Sequence, residues 1–352
     1  VIPGLYTDGI TAAEELLRGV YRLEVAKALD PLHHGDFLVI VQRLGRALAG
    51  VSRDAEAVAL RRALATLDVD WPNLSTADRD RVLGAAREVI AGAAAQVLPR
   101  VEHVFETEAK IVVATTRRAA MRRFGLRIDA STTSTDDRIA AFVRRSESYY
   151  IRDQYGRRAD ELGQRARDIV ASGLEQGLAR DDIVGDLSAA LTPATGRSKA
   201  YWQVVATSFA NRSRTYTQLA AFDEADIETF RFEAVLDSAT SSICRFMHGR
   251  EFSVERAMQR FAEVEAAPDP EAITHLQPWV QVGADDDGNQ VLFYKRGDRR
   301  HVVAQVDESG VGQNDQVGRY SRDLSTDELD AAGISMPPLH GNCRSSVVAI
   351  TE

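Results

Sequence analysis

Four residues in two distant stretches carry metal-ligand chemistry: Cys244 and His248, then His340 and Cys343. Their spacings, Cys-x3-His and His-x2-Cys, suit a tetrahedral zinc site if the two stretches meet in space. Two other outcomes use the same atoms. Cys244 and Cys343 can close a disulfide once the protein reaches an oxidising exterior, or the cysteines and histidines stay reduced and serve packing and hydrogen bonding. Cys244 with His340 also makes a thiol–imidazole dyad. Nothing in the sequence marks a base or oxyanion donors converging on it, so no residue is assigned as catalytic. Asp237 and Arg344 form a second pair, a carboxylate and a guanidinium able to make a bidentate bridge. Two weaker signals fall away. His33–His34 has no cysteine or carboxylate cluster around it, and Asp285–Asp287 with Gly288 lacks the bidentate acid of a calcium loop and reads as a turn.

The elements that must position these residues are legible. Phe230, Phe232, Ala234 and Leu236 alternate with Arg231, Glu233 and Val235, the period of a half-buried strand. Asp237 ends the run, and Ser238, Thr240, Ser241 and Ser242 supply hydroxyls for a tight turn. At the far end Pro337 and Pro338 halt a helix, His340, Asn342, Cys343 and Arg344 follow, and a β-branched strand finishes.

In these stretches the chain resembles the phage Mu F-like head morphogenesis family, the minor head proteins of tailed phages. The residues carrying the resemblance are Asp237, Thr240, Ser241, Cys244, Gly249, Arg250 and Phe252, then Pro337, Pro338, His340, Asn342, Cys343, Arg344 and Ser345. The helices ATSFANRSRTYTQLAAFDEADI and IVASGLEQGLARDDIVGDLSAAL also look like the family's helices at these places, so the resemblance covers about residues 160 to 352. His248 departs from the pattern, where an acid before the glycine is usual. The resemblance implies that the two stretches are spatial neighbours.

Composition fits a soluble globular chain: 352 residues, 44% hydrophobic and 27% charged, enough for two substantial cores. No uninterrupted apolar run has transmembrane length, and VIPGLYTDGI lacks the build of a signal peptide. Two cysteines make no disulfide framework and fit synthesis in a reducing cytoplasm. A net charge of −9 opposes a protein that coats DNA with its whole surface. Residues 110–168 nevertheless hold fourteen Lys/Arg against eight Asp/Glu. This Arg117–Arg158 region is a solvated helix face or a face for an acidic partner, a subunit or packaged DNA.

Taken in order, residues 11–30 predict a helix with Thr11 and Glu14 in capping-box spacing. FLVIVQRLGRALAGV and AEAVALRRALATL predict two more, Ser75 starts one running to about Val97, and Val101–Phe124 is another, closed by Gly125. LRIDASTTSTDDR is a polar interlude. Its Ser131–Thr135 cluster is similar to the Ser-Thr-Ser element of ADP-ribosyltransferases but reads as a helix cap. Helices follow over Asp136–Tyr155, Asp160–Ser172, from Asp181, and over Ala200–Asp223. The acidic start at Asp181 and Asp182 excludes a DNA-binding helix–turn–helix. Beyond the 230s come a helix from Ser253, a hairpin turning at DDDGN, a strand RHVVAQV and a short helix in LSTDELDAAGI. The expected fold is α+β: a helical region 1–128, a helical region 129–225, and an α+β domain 226–352 with a mainly antiparallel sheet.

The resemblance implies a structural protein of the virion, inside the capsid or at the portal vertex, assembled in the host bacterial cytoplasm. Its partners would be portal and capsid or scaffold proteins, with no membrane, no catalysis and no cofactor other than zinc if the four ligands meet. The rival class is an ADP-ribosyltransferase-like enzyme or toxin domain. It lacks a Glu-x-Glu element near a strand, since Glu263 and Glu265 fall in a predicted helix.

Overall fold

The computed structural model describes residues 29–195 and 199–351. The helix expected over residues 11–30 lies outside them. Helices come first: α1 (His34–Leu67), a 3-10 turn (Trp71–Asn73), α2 (Thr76–Ala91), α3 (Ala93–Phe124), α4 (Ser134–Glu175), α5 (Arg180–Thr195) and α6 (Lys199–Glu224). Then come β1 (Thr229–Glu233), α7 (Ser242–Met247), β2 (Glu251–Ser253), α8 (Val254–Ala266), α9 (Pro270–Leu276), β3 (Gln281–Ala284), β4 (Gln290–Arg296), β5 (Arg299–Glu308), β6 (Arg319–Ser321), α10 (Thr326–Ala331) and β7 (Ser346–Ile350). The fold is α+β with two antiparallel sheets, ordered β2-β1-β7 and β3-β4-β5-β6.

Helix boundaries differ from expectation where no residue breaks the backbone. The two helices expected within residues 37–67 form one, α1, because SRD between them contains no glycine or proline to break it. Residues 134–175 likewise form the single helix α4, begun by a capping box in which Thr133 accepts from Asp136 N. The break expected near residues 97–101 lies instead at Gly92. Thr76–Phe124 has the length and apolar content of a membrane span. Val97, Val101, Phe105 and Val112 from it are buried in the core that α3 shares with α1 and α6.

One cluster of buried side chains runs from Leu32 to Ala349, so the helices and the β2-β1-β7 sheet share a core. Phe142 on α4, Tyr216 on α6 and Phe261 on α8 meet edge-on or tilted, with centroids 4.8–5.8 Å apart. Phe105 on α3 stacks on Phe209 of α6 at 4.6 Å. A second cluster, including Trp71, Leu83, Leu162 and Leu187, joins α2, α5 and the C-terminal half of α4.

Helix α6 runs through the middle of this core, buried continuously from Val205 to Phe222 although many of those residues are polar. Asn211, Arg214 and Gln218 share one face, and that face meets the edge of β7 that no strand covers. Asn211 Nδ2 donates to the carbonyls of Cys343 (2.6 Å) and Ser345 (3.2 Å). Arg214 Nη2 donates to Ser345 (2.6 Å) and Arg344 (3.0 Å), and its Nη1 donates to Pro31 (3.2 Å). Gln218 Nε2 donates to Val347 O (2.8 Å) and its Oε1 accepts from Ser346 Oγ (3.0 Å). Side chains of a helix thus do for β7 what a neighbouring strand would do, and the exposed-edge problem is removed.

Hydrogen bonds from a charged donor to buried acceptors are worth more than neutral ones, and stranded carbonyls add a desolvation cost. Arg214→Ala should therefore destabilise the protein by about 3 kcal/mol or more. Arg256→Ala, which breaks exposed ion pairs with Asp327 and Asp330, should leave the urea midpoint close to the parent's. Urea denaturation with equal midpoints for the two variants would contradict this role for Arg214.

Candidate thiol and imidazole centre

The β1–β7 pairing brings the two chemical stretches together. Phe232 pairs with Val347 and Glu233 with Ser346, so the turn after β1 faces the turn before β7. The first turn is built on Asp237. Its Oδ1 accepts from Ala239 N (3.0 Å) and Thr240 Oγ1 (3.0 Å), and Thr240 Oγ1 accepts from Asp237 N (3.0 Å). Ser241 then caps α7 and so fixes where Cys244 points. The second turn begins with the cis bond between Pro337 and Pro338 and closes through Cys343 N to His340 O (3.2 Å). Gly341 is required there, because a Cβ would stand 2.6 Å from Val204 Cγ1.

Asp237 and Arg344 form a bidentate pair, Nη1–Oδ2 2.7 Å and Nη2–Oδ1 2.5 Å. The Arg344 hydrogen bonds hold the Asp237 carboxyl well below the usual carboxylate range, with help from Thr240 and against partial burial. Beside this pair, Cys244 Sγ lies 3.2 Å from His340 Nε2 and 3.7 Å from Cys343 Sγ, and Ser241 Oγ lies 2.9 Å from the same Nε2. Burial pushes the Cys343 thiol up, but hydrogen bonds from Cys244 and His340 and the charge of His340 outweigh it, and its pKa falls well below the ordinary thiol value. The hydrogen bond to Cys343, burial and the charge on Cys343 move Cys244 the opposite way. Both sulfurs are buried. A void of about 10 Å³ adjoins Ser241, Cys244, His340 and Asn342, room for a water or a single ion.

His248 corrects the expected four-ligand set. His248 caps helix α7 and its N–H still reaches Cys244 O (3.1 Å), so the backbone spacing is kept and only the direction of the ring takes it away. Its Nδ1 turns to β1 and accepts from Ala234 N (3.2 Å). Among the described residues the group of converging donors is Cys244, His340 and Cys343. Gly249, at φ +82, lets the chain bend back so that its N–H reaches Phe232 O (2.9 Å). Asn342 is exposed at the rim of the void.

The arginine-rich region is also revised. Arg117 is fully buried, 3.3 Å from Asp136 and paired with Glu224 at 2.5 Å, so it cannot meet DNA. Arg123 donates to Leu32 O (2.8 Å), Arg138 and Arg145 are bound to Glu265, and Arg157 pairs with Asp153. Arg118, Arg122 and Arg127 remain as an exposed basic group around the C-terminal end of α3.

Several residues that organise the site carried no motif. Besides Asn211, Arg214 and Gln218, Arg245 is buried and donates to the carbonyls of Thr240 (3.1 Å), Asp237 (2.5 Å) and Gln313 (2.8 Å), tying the 309–318 loop to the first turn. The available signal was ANRSRTYTQ, a helical run polar on every face just before a strand. A larger hollow of about 220 Å³ between α4, α6 and α9, with Glu147, Arg212, Gln277 and Trp279 on its walls, contains none of the motif residues. No protein-family model, no curated protein and no solved structure matches the chain.

The Asp237–Arg344 pair is partly exposed, so a double-mutant cycle should give a coupling of about 1–2 kcal/mol. Because the folded carboxyl titrates below its unfolded value of about 3.9, the contribution is full above that pH and is lost as pH falls through the folded value. Stability should thus fall less steeply below about pH 4 in Asp237→Asn than in the parent. Identical acid limbs in equilibrium unfolding would refute the pair's contribution.

Proposed function

We propose that this protein is a minor head protein of a tailed phage or phage-derived particle, of the Mu F-like kind, acting in head morphogenesis or in DNA packaging and delivery. The observation that supports this most is the union of the two resembling stretches. Asp237 grips Arg344, and Cys244 meets His340 and Cys343, across a separation of about a hundred residues. A motif split in this way is intelligible if its parts serve one folded knot.

On this reading the protein is structural, resides in the virion inside the capsid or at the portal vertex, and is assembled in the host cytoplasm. Its partners are portal and capsid or scaffold proteins, engaged through the helical faces of α1–α5. Packaged DNA would be met by Arg118, Arg122 and Arg127. Glu265 lies on α8, paired with Arg138, on the wall of a hollow lined also by α3 and α4.

Co-expression with the portal protein of the same particle, followed by size-exclusion chromatography and mass determination, tests this reading. A stable complex is the expected result. A chain that stays free of portal and capsid protein yet consumes NAD would overturn it in favour of the ADP-ribosyltransferase-like alternative.

A further inference from the structure

We propose that Cys244, His340 and Cys343 form a zinc centre with three protein ligands and a fourth position open to water. In a tetrahedral site, zinc–sulfur bonds of about 2.3 Å place two thiolate sulfurs about 3.8 Å apart, and a sulfur and an imidazole nitrogen about 3.5 Å apart. Here the sulfurs are 3.7 Å apart and Cys244 Sγ is 3.2 Å from His340 Nε2. Two thiols merely in van der Waals contact would show a similar sulfur separation. What distinguishes this site is the third donor, since all three ligand atoms lie within 4.8 Å of one another. A disulfide would need the sulfurs at about 2.05 Å.

The donor set selects the ion. Two soft sulfurs and an imidazole favour zinc over magnesium or calcium, which take oxygen ligands. The fourth position falls toward the void of about 10 Å³, enough for one water, with Ser241 on its wall. Ser241 Oγ, now 2.9 Å from His340 Nε2, would release that nitrogen to the metal and hydrogen-bond the bound water instead. The backbone that holds the ligands is already fixed: Ser241 caps α7, Asn211 grips Cys343 O, and Gly341 lets the second turn pack on Val204. A metal here would clasp α7 to the turn before β7 and make the stability of the β1–β7 knot depend on zinc. None of this depends on a role in phage heads, so failure to bind portal and failure to bind zinc are separate outcomes.

The test is metal analysis of the full chain, purified under reducing conditions after growth with zinc and dialysed against metal-free buffer. About one zinc per chain is expected in the parent and in His248→Ala, and about a tenth of that or less in Cys343→Ser and His340→Ala. Because those last two variants can lose metal by misfolding, the parent is also reconstituted with Co(II). Visible d–d bands of four-coordinate cobalt with thiolate-to-metal charge transfer in the near ultraviolet are the expected spectrum. A parent without zinc and without that spectrum, a Cys244–Cys343 disulfide in the freshly reduced and purified chain, or full zinc retention by Cys343→Ser would each overturn the proposal.

Discussion

Arg214 is buried and makes no ion pair with a carboxylate among the described residues; its charge is met by the carbonyls of Pro31, Arg344 and Ser345 and by the face of Phe37, 3.9 Å from its guanidinium carbon. Burial lowers its pKa to about 10, which still leaves it charged at neutral pH. Cys343 works in the opposite direction to burial and raises the Arg214 pKa. This one side chain, in the middle of α6, draws together Pro31 at the start of the described chain and the strand at its end. The Asp237–Arg344 pair and the thiol–imidazole centre both hang from the segment that Arg214 and Asn211 hold, so their geometry is inherited from the helix.

What the sequence made legible follows from how local each signal was. The alternation in β1, the caps at Ser75 and Ser253, and the Gly125 terminus are properties of a few neighbouring residues, and all are present. The Asp237–Arg344 contact was legible because few chemistries explain a carboxylate after one strand and a guanidinium before another. Helix length was less so: α1 and α4 continue through stretches that propensity alone left ambiguous, because tertiary packing outweighs a few tenths of a kcal/mol per residue.

Three things were hidden for a physical reason. Asn211, Arg214 and Gln218 look like solvent-facing residues, and their burial makes sense only once the bare edge of β7 is placed beside them. His248 looked like a ligand because Cys-x3-His spacing suits zinc, yet its ring turns to Ala234 N beside β1. Arg117 looked like part of a basic surface, and the carboxylates of Asp136 and Glu224 turn it inward instead. In each case the deciding partner is far away in sequence.

The central claim is that α6 and the C-terminal strand are one cooperative unit, joined by side-chain hydrogen bonds rather than by strand pairing alone. Hydrogen exchange by mass spectrometry tests it on the unmodified protein. If the claim holds, peptides covering residues 205–222 and 343–350 lose protection together, with the same opening free energy. Rapid exchange in 343–350 while α6 stays protected would show that the helix does not hold the strand, and the account would fail.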